Sequence, residues 1–154
     1  MENITSFCID HDLLGKGLYV SRIDDDIITY DMRMVVPNAG SYLENAGLHT
    51  FEHLLATYVR NTPVSKAIIY VGPMGCRTGF YFLTRDTLSK QAVISLLQEA
   101  MRFIAAFEGE IPGAQLSREC GNYLDHALDK ARVYAKDYLE VIKEWTPAKM
   151  EYPQ

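Results

Sequence analysis

The amino-acid sequence predicts an α+β fold, an antiparallel β-sheet packed against helices in a single-domain α/β sandwich. One segment alternates apolar and polar residues with period two, three segments repeat apolar residues at helical spacing, and no regular β-α-β alternation is present. The length of 154 residues is that of one ordinary domain, so we expect residues 1–154 to form one domain. Apolar residues make up 48% of the chain, which excludes a disordered or low-complexity protein.

Four strands are predicted. Residues 27–36 alternate, which is typical of a half-buried strand. Its apolar face comprises Ile28, Tyr30, Met32, Met34 and Val36, and its polar face comprises Thr29, Asp31 and Arg33. Residues 18–23 supply a partner strand across an acidic turn. The apolar segments 66–71 and 79–83 predict two further strands, which flank a turn that contains Cys76.

Three helices are predicted from apolar residues at helical spacing, over residues 48–60, 89–107 and 123–145. Thr87 or Ser89 can cap the second helix. The third helix places Leu124 on its buried face, and we expect the tail from residue 146 to be frayed.

The charge balance and the cysteine content exclude several classes of protein. The chain has 15 Lys and Arg against 20 Asp and Glu and no basic block, which disfavours nucleic-acid binding. No signal-peptide pattern and no apolar run of roughly 18 residues is present, so we expect no membrane association and a cytoplasmic protein. Cys8, Cys76 and Cys120 lie far apart and are odd in number, which argues against a disulfide framework.

The segment His49-Thr50-Phe51-Glu52-His53 predicts a metal site. Residues four apart lie on one helix face, so His49 and His53 can bind one ion with Glu52 on the same side. Cys120 is the favoured third ligand, because a thiolate binds zinc or ferrous iron strongly and the expected start of the last helix would favour its ionised form. Two His and one Cys leave a fourth position open, as in catalytic metal sites.

Cys76 is a candidate acid/base or nucleophile. It lies in the glycine-flanked turn Gly75-Cys76-Arg77-Thr78-Gly79, which would expose its sulfur at a sheet edge. Arg77 or a nearby metal would favour the thiolate. A structural role is also compatible with this segment, in which Cys76 serves only as a small side chain in a tight turn. Cys8 has no comparable neighbours, and we predict a structural role for it.

Two other functions are compatible with the metal motif. The H-x-x-E-H order is also that of inverzincin metallopeptidases, which would require a distal carboxylate such as Glu99 or Glu108 as third ligand. A non-catalytic metal-binding interaction domain is the second alternative. The presence of both Glu52 and Cys76 argues against a loss of catalysis.

Taken together and in order, the motifs resemble the S-ribosylhomocysteine lyase (LuxS-type) family. The matching segments are Ser6-Phe7, Asp10-His11, Asp31-Met32-Arg33, Pro37-Asn38, the run from His49 to Ala56, the run from Pro73 to Tyr81, and Cys120-Gly121. They extend over about four-fifths of the chain, and their joint occurrence is far more specific than H-x-x-E-H alone.

The resemblance implies an α+β homodimer with active sites at the subunit interface. It implies one divalent metal per subunit, Fe2+ in the cell with Zn2+ or Co2+ as replacements, bound by His49, His53 and Cys120. Glu52 and Cys76 would be the acid/base groups. Ser6, His11 and Arg33 match the positions that contact the ribose and support the site.

The implied reaction cleaves S-ribosylhomocysteine to homocysteine and 4,5-dihydroxy-2,3-pentanedione, the precursor of the quorum-sensing signal autoinducer-2. A thiolate leaves only when a carbanion can form beside it, so the sugar carbonyl must first migrate along the carbon chain. The metal would polarise the carbonyls while Cys76 and Glu52 move protons on either side of the chain.

One position departs from the family pattern, and the role of a second position is left open. Tyr70 stands where the family has an acidic residue that we expect to contact the amino group of the homocysteine moiety, and a phenol brings no negative charge. We therefore expect this chain to bind that end of the substrate differently. His126 fits either a group that supports a metal ligand or a surface histidine of the last helix, and we leave it outside the predicted site.

Overall fold

A computed structural model describes residues Met1–Gln154 and contains a four-stranded antiparallel sheet with three helices. The strands are β1 (Gly17–Asp24), β2 (Ile27–Arg33), β3 (Ile68–Pro73) and β4 (Gly79–Arg85), and the helices are α1 (Asn45–Arg60), α2 (Lys90–Ala105) and α3 (Leu128–Ile142). The strand order is β1-β2-β4-β3, with every neighbouring pair antiparallel. The predicted α+β fold class is confirmed.

The core lies between one face of the sheet and the helices. Register neighbours across that face are Val20, Tyr30, Phe82 and Val71. Helix α1 contacts β3 and both other helices, and α3 contacts β1. Phe51 of α1 packs against Phe80 of β4 with ring centroids 4.9 Å apart, which joins the helix layer to the sheet.

The first two helices form as predicted. Helix α1 ends at Arg60, and the backbone N–H of the next residue, Asn61, donates to the Tyr58 carbonyl. At the start of α2 the Ser89 hydroxyl accepts a hydrogen bond from the N–H of Ala92, so Ser89 rather than Thr87 is the cap. The apolar positions expected inside α2 are all fully buried.

Strand β2 ends three residues earlier than predicted, at Arg33. The N–H groups of Met34 and Val35 both donate to the Thr78 carbonyl, so the regular strand pairing of β2 ends at Arg33. Met34 is buried, but Val36 is exposed, so its predicted place on the apolar face is wrong. Because the turn around Cys76 supplies this carbonyl, the strand end could not be predicted from local alternation.

Strand β3 also begins later than predicted. Lys66 and Ala67 belong to a short 3₁₀ helix, and the strand starts at Ile68. A register shift between Ile68 and Tyr70 leaves Ile68 and Val71 on the core face and Tyr70 exposed on the other.

The C-terminal part of the chain differs most from the prediction. Helix α3 begins at Leu128, and Leu124 is 80% exposed in the preceding turn, so its predicted burial is wrong. The tail is packed rather than frayed: the Met150 side chain is buried, and its carbonyl accepts a bond from the N–H of Val20 in β1. None of the helices is long and apolar enough to span a membrane.

Tyr138 tests how firmly α3 is fixed to the sheet. Its buried hydroxyl donates to the Gly17 carbonyl of β1 at 2.9 Å, and burial raises its pKa well above the usual value, so it remains a donor. Tyr138→Phe leaves that carbonyl without this partner and should lower the free energy of unfolding by about 1–3 kcal/mol in urea titrations. The matched control Tyr58→Phe removes a hydroxyl without a hydrogen-bond partner and should change it little; equal effects of both variants would contradict this assignment.

Candidate metal centre and active site

One helix and one loop bring four potential metal ligands together. Helix α1 presents His49 and His53 on one face, and the loop between α2 and α3 contributes Cys120 and His126. The ligand atoms of these four side chains all lie within 4.8 Å of one another. The Cys120 Sγ is 3.3 Å from the His49 Nε2. The spacing predicted from the sequence thus produces a cluster, to which the loop adds an additional histidine.

The loop also orients both histidines of α1. His49 Nδ1 lies 2.8 Å from the Asp125 carbonyl oxygen, and His53 Nδ1 lies 2.7 Å from the Pro112 carbonyl oxygen. A carbonyl only accepts, so each Nδ1 carries the proton and each Nε2 keeps its lone pair. This is the tautomer that a metal requires when Nε2 is the ligand.

Cys120 is not at a helix N-terminus as predicted. It lies in a turn eight residues before α3, because the polypeptide between them forms turns that carry Asp125 and His126 to the cluster. The dipole of α3 therefore does not account for an ionised sulfur. The N–H of Asn122, 3.5 Å from the sulfur, provides a local hydrogen-bond donor instead.

Gly113 allows the loop to approach His53 closely. Its φ of +70° lies in the left-handed region, and a Cβ there would be only 3.3 Å from His53 Nδ1. The loop is anchored before this point by Arg132 of α3, whose guanidinium donates to the Phe107 carbonyl. A glycine at this position therefore permits the carbonyl of Pro112 to orient the ring.

His126 belongs to the site, contrary to the prediction that left it out. Its ring stacks on His49 with centroids 4.0 Å apart, and its Nδ1 is 2.9 Å from the Thr50 Oγ1. The Thr50 hydroxyl donates to the Ala46 carbonyl, so it accepts from Nδ1–H and leaves Nε2 with the lone pair. Burial, with smaller effects of His49 and His53, lowers the pKa of His126 to about 4, and the ring is neutral at pH 7.

The donor set fits a divalent metal ion of borderline softness. Imidazole nitrogen and thiolate are ligands of zinc, ferrous iron and cobalt, and the Nε2 of His126 is a buried polar atom with no hydrogen-bond partner. The rings of His126 and His49 are stacked with their planes only 22° apart, so their in-plane Nε2 lone pairs do not converge on one position. His49, His53 and Cys120 are therefore the ligand candidates, and His126 supports them.

The carboxylates considered for a peptidase lie elsewhere. Glu99 forms an ion pair with Arg102 on the surface of α2, and Glu108 is outside the cluster. The peptidase alternative requires a carboxylate as the third ligand. The cluster contains the thiol of Cys120 instead, which disfavours a peptidase.

Cys76 lies in the turn between β3 and β4, and its sulfur contacts a buried polar network. The sulfur is 3.0 Å from the Thr78 Oγ1, which accepts from Arg33 Nη1 at 2.7 Å. The guanidinium of the expected partner, Arg77, instead donates to the Leu43 carbonyl. The cation next to this thiol is thus Arg33.

The other predicted site residues are placed as follows. Glu52 is half-buried on α1, and its carboxylate forms no hydrogen bond or ion pair with another residue. Arg33 is buried in an ion pair with Asp31. Ser6 lines a cavity of about 450 Å³ together with Tyr70, whereas the His11 ring bonds to the Ile9 carbonyl in a turn. Cys8 is exposed, with its thiol directed at the Ile4 carbonyl.

The family model of S-ribosylhomocysteinase (LuxS) matches residues 4–149. The chain belongs to the S-ribosylhomocysteine lyase family. A Phocaeicola vulgatus protein named S-ribosylhomocysteine lyase is 46% identical over 159 positions, which cover 99% of this chain and 98% of the relative. A Clostridium acetobutylicum protein of the same name is 41% identical, with both chains fully covered. Members of the S-ribosylhomocysteine lyase family are carbon–sulfur lyases, so the resemblance seen in the motifs is confirmed.

Three residues of this lyase site carried little signal in the sequence. Thr50 looks like an ordinary helix residue, although it positions His126. Thr78 follows Cys76 by two positions, which gives no indication of its contact with Arg33. Gly113 lies 60 residues from His53 in the chain. Each role depends on a contact between distant segments, which periodicity and motif spacing do not reveal.

His126 should contribute to metal affinity without being a ligand. Substituting groups that support metal ligands typically lowers affinity by about ten- to a hundredfold, and we expect His126→Ala to weaken Co2+ binding by this factor in competition titrations with a chelator. His11→Ala is the matched control, because it removes a histidine outside the cluster and should leave the affinity unchanged. An unaltered affinity of His126→Ala would contradict the assignment.

Proposed function

We propose that this chain cleaves the carbon–sulfur bond of S-ribosylhomocysteine at a metal held by His49, His53 and Cys120. The observation that carries the proposal is the pair of imidazoles whose Nδ1 protons are bound by loop carbonyls, in a cluster whose ligand atoms, including the Cys120 sulfur, all lie within 4.8 Å of one another. The products are homocysteine and 4,5-dihydroxy-2,3-pentanedione, so the reaction needs neither a redox partner nor water. The membership of the whole chain in the lyase family supports this substrate.

A divalent cation at this centre supplies Lewis acidity toward the carbonyl and hydroxyl oxygens of the sugar. Fe2+, Zn2+ and Co2+ all suit the donor set, and we propose Fe2+ as the ion in the cell. One ion per subunit is the expected stoichiometry, because the chain forms one such cluster.

The residues proposed to move protons are Cys76 and Glu52. Carbonyl migration requires a proton to be removed from one carbon and returned to its neighbour, and the final elimination requires removal of a proton beside the carbon that bears sulfur. The exposed Cys76 thiol and the unpaired Glu52 carboxylate are groups that can accept and return a proton. Their positions in different segments allow them to act on different parts of the carbon chain.

We further propose that the homocysteine end of the substrate lies in the cavity that contains Ser6 and Tyr70. Arg22, Asp24 and Tyr81 also line this cavity and offer polar groups to an amino acid. Tyr70 is about half exposed and its ring lies over Gly72, where a Cβ would be 2.2 Å from the phenol oxygen. Ser6, His11 and Arg33 are proposed to contact the ribose and support that end of the substrate.

The active form is proposed to be a homodimer that completes the site at its interface. The N-terminal segment exposes the apolar side chains of Ile4, Phe7 and Leu13, and Ile4 lines the same cavity as Ser6. Exposed apolar groups beside a polar cavity are typical of a contact surface. The proposed location is the cytoplasm, where reduced thiols persist.

The activity is tested by anaerobic incubation of the Fe2+- or Co2+-loaded protein with S-ribosylhomocysteine, with measurement of released thiol. Cys76→Ala and Glu52→Ala should each lose at least about a hundredfold in rate, because each removes an acid/base group. Cys8→Ala is the matched control and should retain the parental rate. Both inactive variants should still bind one metal ion, which separates loss of proton transfer from loss of the centre. Thiol release by Cys76→Ala at the parental rate would contradict its role.

Tyr70 provides a second test, which addresses substrate binding. If the phenol contacts the homocysteine end, Tyr70→Asp should change KM about threefold or more with kcat nearly unchanged, because one hydrogen bond contributes about 1 kcal/mol. Tyr70→Phe isolates the hydroxyl from the ring. An unchanged KM for Tyr70→Asp would show that this position does not contact the substrate.

A further inference from the structure

Thr78 lies between a buried cation and the sulfur of Cys76. Its Oγ1 is 2.7 Å from Arg33 Nη1 and 3.0 Å from Cys76 Sγ, and its side chain is nearly inaccessible to solvent. Cys76 itself is exposed. The hydroxyl therefore connects a buried charge to a sulfur that a substrate can reach.

The direction of these hydrogen bonds follows from the chemistry of the groups. A guanidinium has donors and no acceptor, so the Thr78 oxygen must accept from Arg33. The hydroxyl has one proton left to donate, and the sulfur is its hydrogen-bonded neighbour on the other side. A thiolate has no proton to donate, so with an ionised sulfur the O–H points at Cys76, which then accepts most strongly.

The surroundings hold this arrangement in place. Asp31 binds Arg33 Nε at 3.1 Å and Nη2 at 2.6 Å, which leaves Nη1 for Thr78. The Thr78 carbonyl accepts hydrogen bonds from the N–H groups of Met34 and Val35, so the backbone is also fixed. Neither the guanidinium nor the hydroxyl can turn away without leaving buried polar groups unpaired.

We propose that Thr78 is a positioning residue for the reaction, which holds the Cys76 sulfur as a thiolate by donating a hydrogen bond polarised by Arg33. The proposal rests on the proposed role of Cys76 in proton transfer. The other ionisable groups near this sulfur are Asp31, which neutralises Arg33, and the Tyr81 phenol. Arg77 is directed to the Leu43 carbonyl and contributes no contact.

Thr78→Val keeps the shape of the side chain but removes the hydroxyl. A hydrogen bond to a charged group contributes about 1.5–3 kcal/mol, which corresponds to at least about a tenfold change in the equilibrium constant for ionisation of the thiol. We therefore expect the alkylation of Cys76 by iodoacetamide to be slower in the variant at pH 7, by a factor that grows toward about tenfold or more as the pH is lowered to 5. At pH 10 the parent and the variant should react at similar rates, because both sulfurs are then ionised. Thr78→Ser retains the hydroxyl and should behave as the parent.

The experiment follows carboxamidomethylation at Cys76 by peptide-resolved mass spectrometry between pH 5 and pH 10, on the metal-loaded protein, with Cys8 replaced by serine in every variant. Thr84→Val is the matched control, because it replaces a buried threonine of β4 whose hydroxyl bonds to the Arg85 carbonyl. Thermal melting establishes that each variant is folded. If Thr78→Val does not fold, Thr78→Ala is judged by the same criteria.

Slowing at pH 7 that disappears at pH 10, with restoration by Thr78→Ser, supports the proposal. An unchanged profile overturns it, and so does slowing by the same factor at every pH, which indicates a purely steric role. The alkylation does not depend on turnover of S-ribosylhomocysteine. A parent without lyase activity would therefore overturn the proposed function while this hydrogen bond could still be measured.

Discussion

The buried ion pair between Asp31 and Arg33 is the constraint on which much of this structure depends. Both side chains are at most 2% exposed, and removing two charges from water is costly unless every polar atom finds a partner. Arg33 uses Nε and Nη2 for Asp31 and Nη1 for Thr78, while Asp31 also accepts from the Tyr152 hydroxyl. The pair therefore links the centre of the sheet to the C-terminal tail and to the turn that carries Cys76.

The same pair explains why the second face of the sheet is covered around Asp31. Tyr152 stacks on Tyr19 with ring centroids 5.1 Å apart and donates to Asp31. Burial, together with the negative charge of Asp31, raises the pKa of Tyr152, so the phenol stays protonated and continues to donate. An alternating strand predicts a polar face exposed to solvent. Here the C-terminal tail covers the part of that face around Asp31. The predicted fraying of that tail is wrong for this reason.

The metal centre shows a related division between local and distant determinants. The positions of His49 and His53 follow from helix geometry, since residues four apart share a face, and this part was predictable. The tautomer of each ring depends on carbonyls of a loop about 60 or 76 residues away. His126 enters the cluster because the loop turns before α3 begins, and a prediction that extends this helix to residue 123 places it on the surface instead.

The sequence by itself determined the α+β class, the first two helices, the candidate ligands of the centre and the candidate acid/base pair, because periodicity, helix-terminating residues and motif spacing are local properties. The ends of β2 and α3, the membership of His126 and the cation beside Cys76 were decided only by the tertiary structure. Each of these depends on hydrogen bonds between segments far apart in the chain. A buried polar group takes its partner from whichever segment the fold brings near, and local patterns do not carry that information.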